Sequence, residues 1–268
     1  MNELLDYVRA LEGQSSAARG QMIQAFLTDH GVPHEVQRYR PGHANILIPP
    51  VRRPYVAVSA HFDVVPGSPG ANDNASAIAV MAGLLARFVQ TPPQRIGVGF
   101  FIFDEEETGL RGSQAFVEQV GTKDMLALIN LEMLGMGEHL ALWPLRPDEQ
   151  GRIWELMEAA CQAQAVFCQR FHHILNTADH ESFRMGGFQE AFTLTAISDG
   201  DLETAAHYYK AMEFEVDDAT LQEILYGAPL FRHYHQPSDR SEHLDESSLQ
   251  QAIAVIEGTI RLLDREHG

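Results

Sequence analysis

Three short segments carry side chains able to hold a divalent cation or to move a proton. They are Ser59-Ala60-His61-Phe62-Asp63, Phe103-Asp104-Glu105-Glu106-Glu107 and Asn130-Leu131-Glu132. A lone histidine at a strand end has ordinary structural explanations, but Asp63, two residues after His61, changes that reading. A carboxylate placed there can hold the second ring nitrogen, fixing the tautomer and raising the basicity of the first. The Glu105-Glu106-Glu107 run is a further signal, since adjacent carboxylates repel one another unless a cation or solvent offsets them. Such neighbours can divide labour: one binds metal while the next takes a proton from a water that zinc has acidified to a pKa of around 7. Asp73, within Gly70-Ala71-Asn72-Asp73-Asn74-Ala75-Ser76, is explained on its own by capping of the following helix before ligation needs to be invoked. His235, in Tyr234-His235-Gln236-Pro237-Ser238-Asp239, is the last candidate. The other histidines singled out, His172, His173, His207 and His233, read as surface or core residues. On a strand, His233 would share a side with His235.

The elements that must position these groups follow from apolar periodicity. Helical spacing runs through residues 1–30, and short strands are expected at Val36–Tyr39 and Ala44–Ile48. Fully apolar strands, Tyr55–Ser59 and Ile96–Phe103, lead straight into the His61 and Glu107 segments, and a strand at Leu126–Asn130 leads to Glu132. A small-residue helix is expected from Asp73 to about Phe88, with further helices at Gly112–Gln119, Ile153–Ala165, Glu181–Met185 and Leu244–Leu263. Strands at Leu140–Trp143, Phe167–His172 and Ala191–Ile197 complete an alternation that predicts an α/β fold, a three-layer sandwich around a mixed, mostly parallel sheet. Such sheets place their sites at the C-terminal strand ends. Residues 1–268 read as one domain, and 199–232 as an irregular excursion forming a lid or pocket wall. Trp143 and Trp154 read as core.

Composition narrows the partners. A net charge of −18, from 19 basic and 37 acidic residues, repels phosphate backbones and anionic lipid, so neither nucleic acid nor membrane is expected. It could favour a cationic substrate such as a free amino terminus, although solubility alone explains it. Cys161 and Cys168, seven apart, are out of disulfide reach unless a helix stops between them, which favours free thiols in a reducing compartment. The first residues lack a signal-peptide pattern and no apolar run approaches a membrane span, so a cytoplasmic protein is expected. Oligomeric state leaves no mark in the sequence.

Taken in order, the segments resemble the zinc aminopeptidases typified by bacterial leucyl aminopeptidases, a group that also contains glutaminyl cyclases. The match is carried by Ala60–Asp63, Gly70–Ser76, Phe103–Ser113, Asn130–Gly135, Ala178-Asp179-His180-Glu181-Ser182-Phe183 and Tyr234–Pro237, across about residues 55–265. The resemblance implies two zinc ions, or one, with His61 and Glu132 on the first, Glu107 and His235 on the second, and Asp73 bridging. It implies Glu106 as general base and Asp63 as the group orienting His61. Thr108–Ser113 aligns best with that register, leaving Glu105, where relatives usually have glycine, as a bystander; the alternative makes Glu105 the base and Glu106 a ligand. Glu132 stands where these enzymes commonly carry aspartate. Asp179-His180 matches a segment lining the site in relatives, while Asp179 equally suits the N-cap of the next helix. The implied function is release of an N-terminal amino acid from a peptide or small aminoacyl substrate. The alternatives are a single-zinc cyclase-like acyltransferase, an N-acyl amino acid hydrolase, or a non-catalytic metal-binding protein.

Overall fold

The computed structural model describes residues 4–172, 174 and 176–267. Its strands are β1 (Glu35–Arg40), β2 (His43–Ile48), β3 (Tyr55–His61), β4 (Gly97–Phe103), β5 (Met125–Glu132), β6 (His139–Trp143), β7 (Cys168–Arg170) and β8 (Ala191–Ile197). They form one eight-stranded sheet in the order β1-β2-β4-β3-β5-β8-β6-β7. The pairs β3/β4, β3/β5, β5/β8 and β6/β7 are parallel, and β1/β2, β2/β4 and β6/β8 antiparallel.

Alternation within the apolar runs assigns the layers. Val56, Val58 and Ala60 of β3 and Phe100 and Ile102 of β4 join one core, while Tyr55, Ala57, Phe101 and Phe103 join the other. Strands apolar on both faces suit a sheet covered on both sides. Helices α1 (Leu4–Leu11), α2 (Ser16–Asp29), α3 (Ser76–Gln90), α5 (Arg152–Ala163) and α9 (Glu246–Glu266) pack on the first face. On the second lie α4 (Arg111–Gln119) and α6 (His180–Met185), through Phe116 and Phe183. The result is the expected three-layer α/β/α sandwich. Each buried Val, Ile or Phe contributes roughly 1.5–3 kcal/mol, which anchors the central strands that carry the candidate side chains at their ends.

Two local expectations are corrected. The helix predicted from Asp73 begins at Ser76; Ala71–Ala75 is a wider turn in which Asp73 is non-helical (φ −109°, ψ 88°). Residues 199–232 are largely regular: α7 (Asp199–Glu213) starts at a Ser198–Asp201 capping box, and Asp217 caps α8 (Asp218–Tyr226). Asp201 and Tyr208 are the buried residues of α7, so the apolar stripe that would have announced a helix is thin. As expected, both cysteines are free thiols, although α5 stops at Ala163, between Cys161 and Cys168. No helix among the described residues is long and apolar enough to cross a membrane.

Candidate metal centre

Three strand ends and two loops deliver the candidate ligands. His61 and Glu132 are the last residues of β3 and β5, which pair in parallel and so end side by side. Glu107 lies in the turn after β4, Asp73 in the turn before α3, and His235 in the segment between residues 229–232 and α9, with φ 57°. These five side chains converge. His61, Asp73 and Glu132 offer ligand atoms within 4.8 Å of one another, and so do Asp73, Glu107 and His235. Asp73 belongs to both groups, with Oδ1 3.2 Å from His61 Nε2 and Oδ2 3.3 Å from His235 Nε2. Glu106 joins His61 and Glu107 in a third such group.

The donor set fits divalent zinc. Imidazole nitrogens and carboxylate oxygens are its ordinary ligands. His235 Nε2 and Glu107 Oε1 are buried and make no hydrogen bond among the described residues, although His235 Nε2 lies 3.0 Å from Glu107 Oε2. Buried polar atoms without partners are costly, and a shared cation would satisfy both. The electrostatics agree. Burial pushes the Glu106 carboxyl well above its usual range; His61 opposes this, and Glu132, Asp179 and Glu107 add to it. Burial would also raise Asp73, but His235 and His61 hold it below its ordinary value. Asp63, Asp73, Glu106, Glu107, Glu132 and Asp179 crowd two histidines, an arrangement that calls for added positive charge.

The surrounding contacts explain why the local motifs read as they do. Asn72, Asn74 and Ser76 alternate along the Asp73 turn and stitch it to the exit of β5: Gly135 N donates to Asn72 Oδ1 (2.9 Å), Met133 N to Asn74 Oδ1 (3.2 Å) and Leu134 N to Ser76 Oγ (3.0 Å). Glu132 is held by Asn74 Nδ2 on Oε2 (2.9 Å) and Asn130 Nδ2 on Oε1 (3.2 Å). Its Oε2 is 3.3 Å from His61 Nε2, so the longer side chain still reaches the cluster. Asp239 accepts from Asn72 N (2.7 Å) and Asp73 N (3.1 Å). Arg19, fully buried, donates to Pro69 O (2.7 Å) and Gly70 O (2.8 Å), fixing the start of the same turn. Sequence reasoning missed Asn74, Asn130, Asp239 and Arg19. Only the Asn72-x-Asn74-x-Ser76 alternation was a visible signal.

Asp63 does more than was expected of it. His61 Nδ1 lies 3.2 Å from the Asp63 backbone oxygen and 3.4 Å from Oδ1. The carboxylate also accepts Glu106 N on Oδ1 and Glu107 N on Oδ2, each at 3.1 Å. Glu105 joins none of the ligand groups found among the described residues. It is buried with φ 59°, a region where glycine is at home, and its carboxylate is ion-paired with Arg40. Asp179 does not cap α6 with its side chain; it is fully buried, and burial pushes it up to about 7 against the pull of His61 and of Ser113. His180 bonds Thr193 Oγ1 through Nδ1 (2.6 Å). Of the spare histidines, His233 bonds Ser238 Oγ and His172 stacks on Tyr209, while His173 lies outside the described residues.

Comparison with known proteins points the same way. The model of peptidase family M28 matches residues 46–260. Aminopeptidase YwaD of Bacillus subtilis is 31% identical over 211 residues, 76% of this chain and 40% of that protein. The chain spans about two fifths of the length of the curated relatives it matches first. Among solved structures, a zinc aminopeptidase from Bacillus subtilis superposes with a TM-score of 0.62 at 25% identity, over 82% of this chain and 50% of that one. A glutaminyl cyclase from Bacteroides thetaiotaomicron gives 0.69 at 18% identity over 97% of both chains, a likeness of fold alone. With four-fifths of its length matched by the family model and an α/β/α sheet that gathers its acidic and imidazole side chains at the strand ends, the chain belongs to peptidase family M28.

Proposed function

We propose that the cluster holds two zinc ions and that the chain is an aminopeptidase releasing apolar N-terminal residues from peptides. The observation that carries this is the pair of three-residue groups sharing Asp73. His61, Glu132 and Asp73 would hold one ion, and Glu107, His235 and Asp73 the other. When bound, zinc polarises a carbonyl oxygen and makes water more acidic. The protein's own part is positioning and proton transfer. Glu106 takes the proton from the attacking water and returns it to the departing amine. Its burial raises the carboxyl's proton affinity, which makes the ionised carboxylate a stronger base. Asp63, bound to the Glu106 and Glu107 amides, keeps base and ligand in register.

A cavity of about 80 Å³ supports the substrate class. Its walls include Met133, Phe171, Ile174, Tyr208, Leu230 and Phe231. Met133 follows Glu132 directly, and Thr195, also in the wall, sits across from Glu132 in the β5/β8 register. An apolar side chain would gain by burial there, at about 25 cal/mol per Å² of apolar surface. Residues of α7 and α8 thus form a pocket wall.

The test is a panel of aminoacyl arylamides and N-acyl amino acids, assayed after chelation and zinc add-back. Zinc-restored release of arylamine from Leu, Met or Phe substrates is expected, with Asp and Lys substrates much slower. Cleavage of N-acyl substrates only, cyclisation of N-terminal glutamine, or a purified protein that takes up no zinc would each overturn the proposal.

A further inference from the structure

Glu105 is buried in a left-handed backbone conformation next to the proposed base, and among the described residues every charged partner of its carboxylate comes from the β1–β2 hairpin. Arg40 grips both oxygens, Nε at 2.6 Å from Oε2 and Nη2 on Oε1. Tyr39 OH donates to Oε2 at 3.0 Å, and His43 Nδ1 lies 3.5 Å from the same atom. One residue earlier, Asp104 Oδ2 is 3.0 Å from His43 Nδ1 and accepts Ala44 N at 3.4 Å. The Glu105 carbonyl in turn receives Arg111 N at 3.1 Å, joining the turn to α4. The same turn is also held by Asp63, which accepts from the Glu106 and Glu107 amides.

A glutamate at a left-handed position gives up the backbone ease of glycine, and a buried carboxylate needs a partner to be tolerated. Both demands are met by a hairpin that supplies no ligand. Glu105 cannot itself serve as a base while Arg40 and Tyr39 occupy its oxygens. We propose that Glu105 is a positioning residue: with Arg40, Tyr39 and His43 it latches the 104–107 turn to the β1–β2 hairpin and so sets where the Glu106 and Glu107 carboxylates stand. This inference rests on the reading of Glu107 as a zinc ligand, and its test separates the two.

Glycine is compatible with φ 59°, so Glu105→Gly removes the latch without straining the backbone. Arg40→Met removes the other half. Each is expected to weaken zinc binding about tenfold in competition with a chromophoric chelator, as loss of a group that orients a ligand does. The double variant should match the worse single variant within about twofold, because one contact is being broken twice. Glu105→Gln, which keeps the Tyr39 contact but loses the charge, should fall between. In the metal-free protein, hydrogen exchange over residues 104–110 should speed up in Arg40→Met, where the backbone sequence of the turn is unaltered. Should Arg40→Met fail to fold, Glu105→Gly and Glu105→Gln carry the same comparison. Wild-type zinc affinity in Glu105→Gly, independent losses that multiply in the double variant, or unchanged exchange would refute the latch. A wild-type protein that binds no zinc but shows faster exchange in Arg40→Met would sink the metal-centre reading and leave the latch standing.

Discussion

Asp63→Asn separates two roles that a single carboxylate plays. In the native site its oxygens each accept one backbone N–H, from Glu106 and from Glu107, at 3.1 Å, and the residue is 5% exposed. Asparagine keeps one acceptor and turns an NH₂ group toward the other amide. One charge-assisted bond is lost and a buried N–H is left unmade, about 1.5–3 kcal/mol, while the surviving bond drops to neutral strength, costing roughly 1 kcal/mol more. The opposing term is relief of repulsion among neighbouring carboxylates, which zinc saturation makes small; the measurement therefore uses zinc-saturated protein. A net loss of about 3 kcal/mol corresponds to a fall in Tm of roughly 6–12 °C for a chain of this size. His61, by contrast, keeps its Nδ1 contact with the Asp63 backbone oxygen at 3.2 Å, so the loss of zinc affinity, about tenfold, should come through the released Glu107 turn rather than through His61. Scanning calorimetry and chelator competition read the two effects separately. A Tm within about 2 °C of wild type would show that Asp63 does not hold the turn, and its part in placing Glu106 and Glu107 would have to be abandoned.

Glu106→Gln should retain both zinc ions and lose roughly 10²–10⁴-fold in kcat, since the proton carrier goes and the ligands stay; near-native turnover would reassign the base. His235→Ala should cut zinc content to about one ion per chain by metal analysis, because Asp73 and Glu107 alone are a poor site; an undiminished content of two would remove His235 from the ligand set. His180 predicts a pH dependence of stability. Burial, with Arg184 adding, lowers its folded pKa to about 3, below the ordinary 6.5. The unfolded chain therefore takes up a proton that the folded one refuses, and the stability present above about pH 6.5 is lost as pH falls toward 3. At pH 4.5 the loss from this group is roughly 2–3 kcal/mol. His180→Gln should flatten the wild-type stability curve by that amount between pH 7 and 4.5 in urea titrations, and parallel curves would discount the effect.

Much of the fold was legible because its signals are local. Tyr55–His61 and Gly97–Phe103 are apolar on both faces, which only a doubly covered sheet explains, and α9 repeats its buried residues at helical spacing. Where burial is thin, as in α7, that signal fades and regular structure reads as an irregular excursion. Capping competed with site chemistry as a reading of Asp73 and Asp179, since a carboxylate ahead of a helix looks the same in sequence whether or not its side chain bonds the helix.

Residue type, order and spacing in the chain determined the sheet class, the strand ends that bear side chains fit for zinc, and the identity of the acidic and imidazole groups involved. Only the tertiary structure decided that Asp73 stands between His61 and His235, that Asp63 grips two amides, that Asn74 and Asn130 aim Glu132, and that Glu105 belongs to Arg40. The reason is one of range. Periodicity and propensity act within a few residues, whereas Glu105 and Arg40, or Asp73 and Asp239, meet across 65 and 166 positions, through packing that no local pattern encodes.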